Sequence, residues 1–402
     1  MNVTPRRRPG VVTLTLLALL LQWTSANAAG FDSRFYRIEG DLTPEQARPY
    51  AEHMDRVFAE YQSRFKDFRS RRTGKMPLYL FGTRAAYVQF MASRGIESTN
   101  SGGMFFVGMR GDGLATFTEG QSPTQTFSVL QHEGFHQFAF NYIGPDLPVW
   151  VNEGLAQYFE DGVLVKGHLE LGLADKDRIE RVRQAIEKDE AVDFDALLTM
   201  SHEQWGRTLA TQPEQAALNY AQSWSVVYFL VHGNGGKYRG AFVDYLQSVS
   251  RGVESSRAFA RAFGSNDTRA FRQRWEEFAR KQEPDALTAT MHRMQFLGQA
   301  LMFLQERKEP TPRTIEELKT KLQAMQFRIR RASHGLSEEV SAKEDALFTY
   351  PRAGGGTLPF ELLEPARDDL PPRVRANPPK MQATLVWTRT ESGGLQYDIE
   401  LK

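Results

Sequence analysis

"VLQHEGFHQFAF", residues 129–140, places two histidines four positions apart, with a glutamate directly after the first. The chain holds eight histidines in 402 residues. At that content a chance match of this kind has odds of roughly one in a hundred. On an α-helix, positions i and i+4 share a face one turn apart, so His132 and His136 can reach one ion. Zinc accepts imidazole nitrogen at ~2.0–2.1 Å, which such a pair meets with little strain. Glu133 sits one residue round from His132, where its carboxylate meets a water rather than the metal. This is the H-E-x-x-H arrangement, with the glutamate as general base. Phe127, Leu130, Phe135, Phe138, Phe140 and Tyr142 make the segment apolar over most of its circumference, so the helix is expected to be buried. Histidines and a glutamate inside a buried helix need partners. Gly134, which costs about 1 kcal/mol relative to alanine in mid-helix, is expected to make room beside the metal.

A catalytic zinc needs three protein ligands and one open position. The third is expected on a helix downstream, and Glu153 in "WVNEGLAQYFE" (150–160) is the leading candidate. Glu160, Asp161, His168 and Asp146 are its rivals. Glu160 and Asp161 fall at a helix end and His168 near a hairpin tip, where each is expected to be solvated.

Outward from this stretch, Ser122-Pro123-Thr124-Gln125 starts the metal helix and Gly144-Pro145 stops it. "PVWVNEGLAQYFED" (148–161) reads as the next helix and "VLVKGHLEL" (163–171) as a small hairpin. Toward the N-terminus, Thr43-Pro44-Glu45-Gln46 marks a helix start, with the helix expected to reach about Phe68. "FYRIEG" (35–40) and "MPLYLFG" (76–82) read as strands, and "RAAYVQFMASRG" (84–95) as a helix. Residues 104–118 form two strands turning at "RGDG" (110–113). Downstream, Thr211 and Glu214 bracket the start of a helix running into "NYAQSWSVVYFLVHG" (219–233), and "GNGG" (233–236) makes a turn. Amphipathic helices are expected over 235–345, including a pair over 257–282 and a long one over 312–335 with i, i+4 charge pairs. Tyr350 to Pro379, rich in proline and glycine, reads as a linker or an extended wrap. "TLVWTRT" (384–390) and "LQYDIEL" (395–401), with alternating apolar residues, form a terminal hairpin. The expected class is therefore α+β, mainly α, with a small mixed sheet beside the metal helix. The division expected is 1–28, 30–120, 121–282, 283–350 and 351–402.

Residues 1–28 are expected to be an export signal. Arg6, Arg7 and Arg8 precede the apolar "VVTLTLLALLL" (11–21), and Ala26-Asn27-Ala28 fits a signal peptidase site. The mature chain is then periplasmic or secreted, with no membrane span. There are no cysteines, so neither thiolate chemistry nor a lipid anchor through cysteine is available. With 50 basic against 49 acidic residues, there is no field of one sign to attract nucleic acid. No G-x-S-x-G elbow appears, and "GNGG" lacks the lysine and hydroxyl residue of a phosphate-binding loop.

"HEGFH" (132–136) followed by "WVNEGLA" (150–156) resembles the gluzincin metallopeptidases. Within them the similarity is to secreted peptidase-MA-like bacterial proteins, where "YAQSW" (220–224) recurs. The resemblance covers roughly residues 75–250. It implies one zinc per chain on His132, His136 and Glu153, and Glu133 as catalytic base. It also implies Tyr220 as a donor to the oxyanion, worth about 3 kcal/mol at the transition state. Against that role, Tyr220 also reads as part of a core stripe with Trp224, Val227, Tyr228 and Val231. In such enzymes an edge strand pairs with the substrate backbone, a role the resemblance gives to Gly103, Met104 and Phe105. The chain departs from the family twice. Phe105 and Phe106 stand where aminopeptidases carry a glutamate, which favours an endopeptidase. Gln157 replaces an aspartate that supports a ligand histidine. The expected activity is hydrolysis of peptide or protein substrates. The competing expectation is a zinc-containing protein that binds such a partner without cleaving it.

Overall fold

The computed structural model describes residues 30–402 apart from 110, 166, 266, 334–335, 380 and 390–392. The expected export segment, residues 1–28, lies outside them. Helix outweighs strand by 52% to 18%, so the class is α+β and mainly α. No helix among the described residues is long and apolar enough to cross a membrane.

The N-terminal part is built on a five-stranded sheet: β1 (Phe31–Asp32), β2 (Tyr36–Gly40), β3 (Met76–Phe81), β4 (Gly103–Gly108) and β5 (Gly111–Phe117). The order is β1-β2-β3-β5-β4. β2 and β3, and β3 and β5, are parallel, whereas the edge strand β4 runs antiparallel to β5. The chain reverses between Gly108 and Gly111, earlier than the expected RGDG turn, because Gly111 and Gly113 already pair in β5. Helix α1 (Pro44–Arg64) has the expected Thr43 capping box but ends at Arg64, short of Phe68. Helix α2 (Arg84–Ala92) packs Tyr87 and Met91 against Phe106, Ala115 and Phe117.

Across the sheet lies α3 (Pro123–Phe138), capped by Ser122 and extended by a π-helical turn over Ala139–Ile143. It is followed by α4 (Val149–Glu160) and the hairpin of β6 (Val163–Val165) and β7 (His168–Glu170). Then come α5 (Lys176–Glu187), α6 (Phe194–Thr199), α7 (His202–Thr211) and α8 (Pro213–Gly236). Thr211 does not cap α8. It belongs to α7, where its hydroxyl donates to the Arg207 carbonyl, while Pro213 opens α8 after Gln212. Gly233, Asn234 and Gly235 leave helical geometry, so GNGG is a turn. Helices α9 (Arg239–Ser250), α10 (Ser255–Phe263) and α11 (Thr268–Lys281) complete this part. A single core runs from Tyr36 to Ala279, joining the sheet, α3 and the helices.

A second core runs from Leu287 to Ile399. It is organised by α12 (Ala286–Glu306) and α13 (Ile315–Ala324). The expected long helix over 312–335 stops at Ala324. Gln326 takes a left-handed conformation, Phe327 is buried, and Arg328–Ser333 (β8) pairs with Leu336–Ser341 (β9). Residues 350–379 are not a linker. β10 (Thr349–Pro351) pairs with β11 (Thr357–Pro359). β12 (Glu361–Leu363), β13 (Arg373–Ala376), β14 (Ala383–Arg389) and β15 (Leu395–Leu401) then form a four-stranded antiparallel sheet. Val374 and Ala376 are fully buried and the Trp387 indole donates to the Pro372 carbonyl at 2.9 Å. The terminal hairpin is present and docks on the first turn of α3, where Thr124 Oγ1 donates to Asp398 at 2.6 Å.

Candidate metal centre

Gln131, the residue before the first histidine, fixes α3 against α4. Its buried amide donates to the carbonyls of Phe159 (2.6 Å), Gly162 (2.9 Å) and Glu160 (3.2 Å) at and just past the end of α4. Its side-chain oxygen meets His53 Nε2 at 2.8 Å, and its backbone carbonyl accepts from Tyr61. On the other contact of α4, Gly154 lies against α8: a Cβ there would come within 2.5 Å of the Ser223 carbonyl oxygen. These two contacts set where Glu153 projects.

His132, His136 and Glu153 thereby meet, their ligand atoms all within 4.8 Å of one another. Glu153 Oε2 lies 3.6 Å from His132 Nε2 and 3.5 Å from His136 Nε2. Two donors bound tetrahedrally at ~2.0–2.1 Å are about 3.3 Å apart, so these separations suit atoms sharing an ion rather than a hydrogen bond. The outer nitrogens are already engaged. His132 Nδ1 is 2.9 Å from Glu160 and His136 Nδ1 is 3.1 Å from Asn152 Oδ1. With Nδ1–H donating outward, both Nε2 lone pairs face Glu153. Glu153 Oε2 is buried and has no hydrogen-bond partner among the described residues. A buried carboxylate oxygen without a partner is costly, and a cation between the three side chains satisfies it. The residues present fit a metal ion.

The electrostatics show a site that draws in positive charge, which a metal ion would supply in place of the imidazole protons. Burial alone would lower both histidine pKa values and raise that of Glu153. Instead the carboxylates of Glu153 and Glu160 hold His132 well above its ordinary value, and Glu153 holds His136 up. The two imidazoles hold Glu153 below the usual carboxylate range. Glu133 is different: burial pushes its pKa up, opposed by both imidazoles and by the Phe105 N–H. Phe105 N donates to Glu133 Oε2 at 2.7 Å. The carboxylate therefore bridges α3 and the edge strand β4. Gly103 permits that approach, since a Cβ there would stand 2.5 Å from Val129 on α3.

The other expected residues fall as follows. Gly103, Met104 and Phe105 lie on β4, at the sheet edge beside Glu133. Tyr220 is half-buried, off the core formed by Trp224 and Val227, with its ring edge-on to Trp205 at 4.9 Å. Burial first, and then the charges of Glu153 and Glu133, raise its pKa. His168 and Asp146 are exposed and outside the group. Glu160 and Asp161 are not solvated as expected: Glu160 holds His132, and Asp161 pairs with Arg178. Gln157 supports no ligand, for its buried amide has no partner among the described residues. Asn152 and Glu160 take that supporting role. Gly134 does not face the metal group; a Cβ there would collide with Met54 of α1 at 2.4 Å. Asn152 and Gln131 escaped sequence reasoning, although each adjoins a candidate ligand. Helical spacing alone does not say which neighbour reaches which imidazole.

Glu160→Ala is expected to lower metal affinity roughly 10–100-fold, because His132 loses the partner that fixes its tautomer. Competition with a chromogenic chelator reads this directly. An unchanged affinity would show that Glu160 does not orient the ligand.

Residues 126–254 match a family model described as "Protein of unknown function (DUF1570)". The matched span contains His132, Glu133, His136, Asn152, Glu153, Glu160 and Tyr220. No curated protein matches the chain.

Proposed function

We propose that this chain is a zinc metallopeptidase of the gluzincin kind, acting as an endopeptidase outside the cytoplasm. The observation that carries this reading is the convergence of two imidazole Nε2 atoms on the partnerless Glu153 Oε2. Nitrogen and carboxylate donors of this number suit zinc with a position left open. Zinc held there supplies Lewis acidity, making a water acidic near neutral pH and polarising the scissile carbonyl.

Glu133 accepts the proton of the attacking water and passes it to the leaving amine. The Phe105 N–H holds the carboxylate in place before substrate arrives. Gly103, Met104 and Phe105 offer an extended peptide an open strand edge. Tyr220 stands within electrostatic reach of Glu153 and Glu133 and donates to the developing oxyanion. The export reading rests on the sequence of residues 1–28.

The metal content of the purified mature protein tests the proposal. His136→Ala is expected to lose the ion bound between His132, His136 and Glu153. If the wild type takes up no zinc at these side chains, the peptidase reading fails.

A further inference from the structure

A second group of ligating side chains lies where the two cores meet. Asp175, Asp177 and His292 have ligand atoms within 4.8 Å of one another. Asp175 is buried and caps α5, its Oδ1 accepting from Arg178 N at 2.9 Å. Its other oxygen is 3.3 Å from His292 Nδ1, longer than the ~2.7–2.9 Å of a charge-assisted hydrogen bond. Asp177 follows in the first turn of α5, whereas His292 comes from α12 in the other core. The start of α12 is pinned beside them, Asp285 N donating to the Ala174 carbonyl at 2.9 Å.

An independent feature points to a ligand here. Thr288 lies one turn before His292 on the same face of α12, and both line a cavity of about 710 Å³. Thr288 is only 7% exposed, and its hydroxyl has no hydrogen-bond partner among the described residues. It sits in the first turn of α12, with no preceding helical turn to take its hydroxyl, and a buried hydroxyl left without a partner is costly. The charge balance is also uneven. Glu160, Asp161 and Asp175 gather around Arg178, which pairs with Asp161 and lies 3.5 Å from Glu160. Burial pushes the Asp161 pKa well up, and the charges of Glu160 and Asp175 add to it despite Arg178.

We propose that Asp175, Asp177 and His292, with the Thr288 hydroxyl, form a second divalent-cation site that clamps α12 to α5. One imidazole among oxygen donors favours a borderline ion such as zinc or manganese over calcium. This site does not rest on the peptidase reading. It shares no ligand with the His132 group, and Thr288 and His292 lie outside the matched span 126–254.

The test is zinc content of the full mature chain, stripped with chelator, reloaded with zinc chloride and desalted. Wild type is expected to hold about two ions, and His136→Ala, His292→Ala and Asp177→Asn about one each. Asp177→Asn is nearly isosteric and only half-buried, so it keeps the test valid if His292→Ala fails to fold. Zinc is also expected to raise the melting temperature of His136→Ala but not of the His136→Ala, Asp177→Asn double variant. Two outcomes would overturn the second site: wild-type zinc content in a folded Asp177→Asn, or about one ion in wild type and none in His136→Ala. About one ion in wild type, kept in His136→Ala and lost in Asp177→Asn, would establish this site and sink the first.

Discussion

Glu133→Gln is expected to keep wild-type fold and metal content while lowering kcat for peptide hydrolysis by about 10²–10⁴-fold. The amide has the size of the carboxylate, and its oxygen can still accept from Phe105 N–H, the 2.7 Å contact that fixes the side chain against β4. None of the three ligand atoms is disturbed. What disappears is the ability to take a proton from water and return it. Paired measurement of metal content and of cleavage of a peptide library separates this from simple unfolding. Cleavage at the wild-type rate would refute the mechanism. A wild type that binds peptides without cleaving them would instead point to a zinc-containing binding protein.

The second large effect is expected at Gly154. A Cβ at this position would lie 2.5 Å from the Ser223 carbonyl oxygen and 2.7 Å from Val227. The first obstacle is backbone in the middle of α8, so no rotamer change relieves it. Gly154→Val therefore forces α4 away from α8, at a cost near the upper end of the ~1–3 kcal/mol seen for overpacked cores. Helix propensity opposes this by only a few tenths of a kcal/mol for valine, against about 1 kcal/mol for alanine, so valine is the sharper substitution. Because Glu153 is the preceding residue, metal affinity is expected to fall together with stability. Urea unfolding and chelator competition on the same protein check both. Wild-type values in both would mean that the α4–α8 contact does not position the ligand.

Much of the local structure was legible because its causes are local. Thr43 and Ser122 announce their helices through capping boxes formed within three residues. His132, Glu133 and His136 share a helix, so their common face follows from spacing alone. Glu153 needed one further assumption, that the next helix folds back on the first. The errors have a common form. Residues 328–333 carry charges that suit a helix, yet they pair with 336–341 because the chain turns at Gln326 and Phe327 enters the second core. The proline-rich stretch before Pro379 reads as a linker or an extended wrap, but short strands beside α12 bury Val374 and Ala376. For Gly134 the sequence points to the metal side, because it does not reveal that Met54 packs against this glycine.

By itself the sequence determined the class, the helix that carries His132 and His136, and the candidate ligand and base residues. These depend on periodicity and chemistry within a few residues of the chain. Only the tertiary structure decided that Glu160 and Asn152 turn the two imidazoles inward and that Gln131 locks α4 in place. It also brought His292, 117 positions from Asp175 in the numbering, to 3.3 Å from the Asp175 carboxylate. Those arrangements arise from packing between elements distant in sequence, where burial and the need to satisfy every buried polar atom select partners that no local pattern encodes.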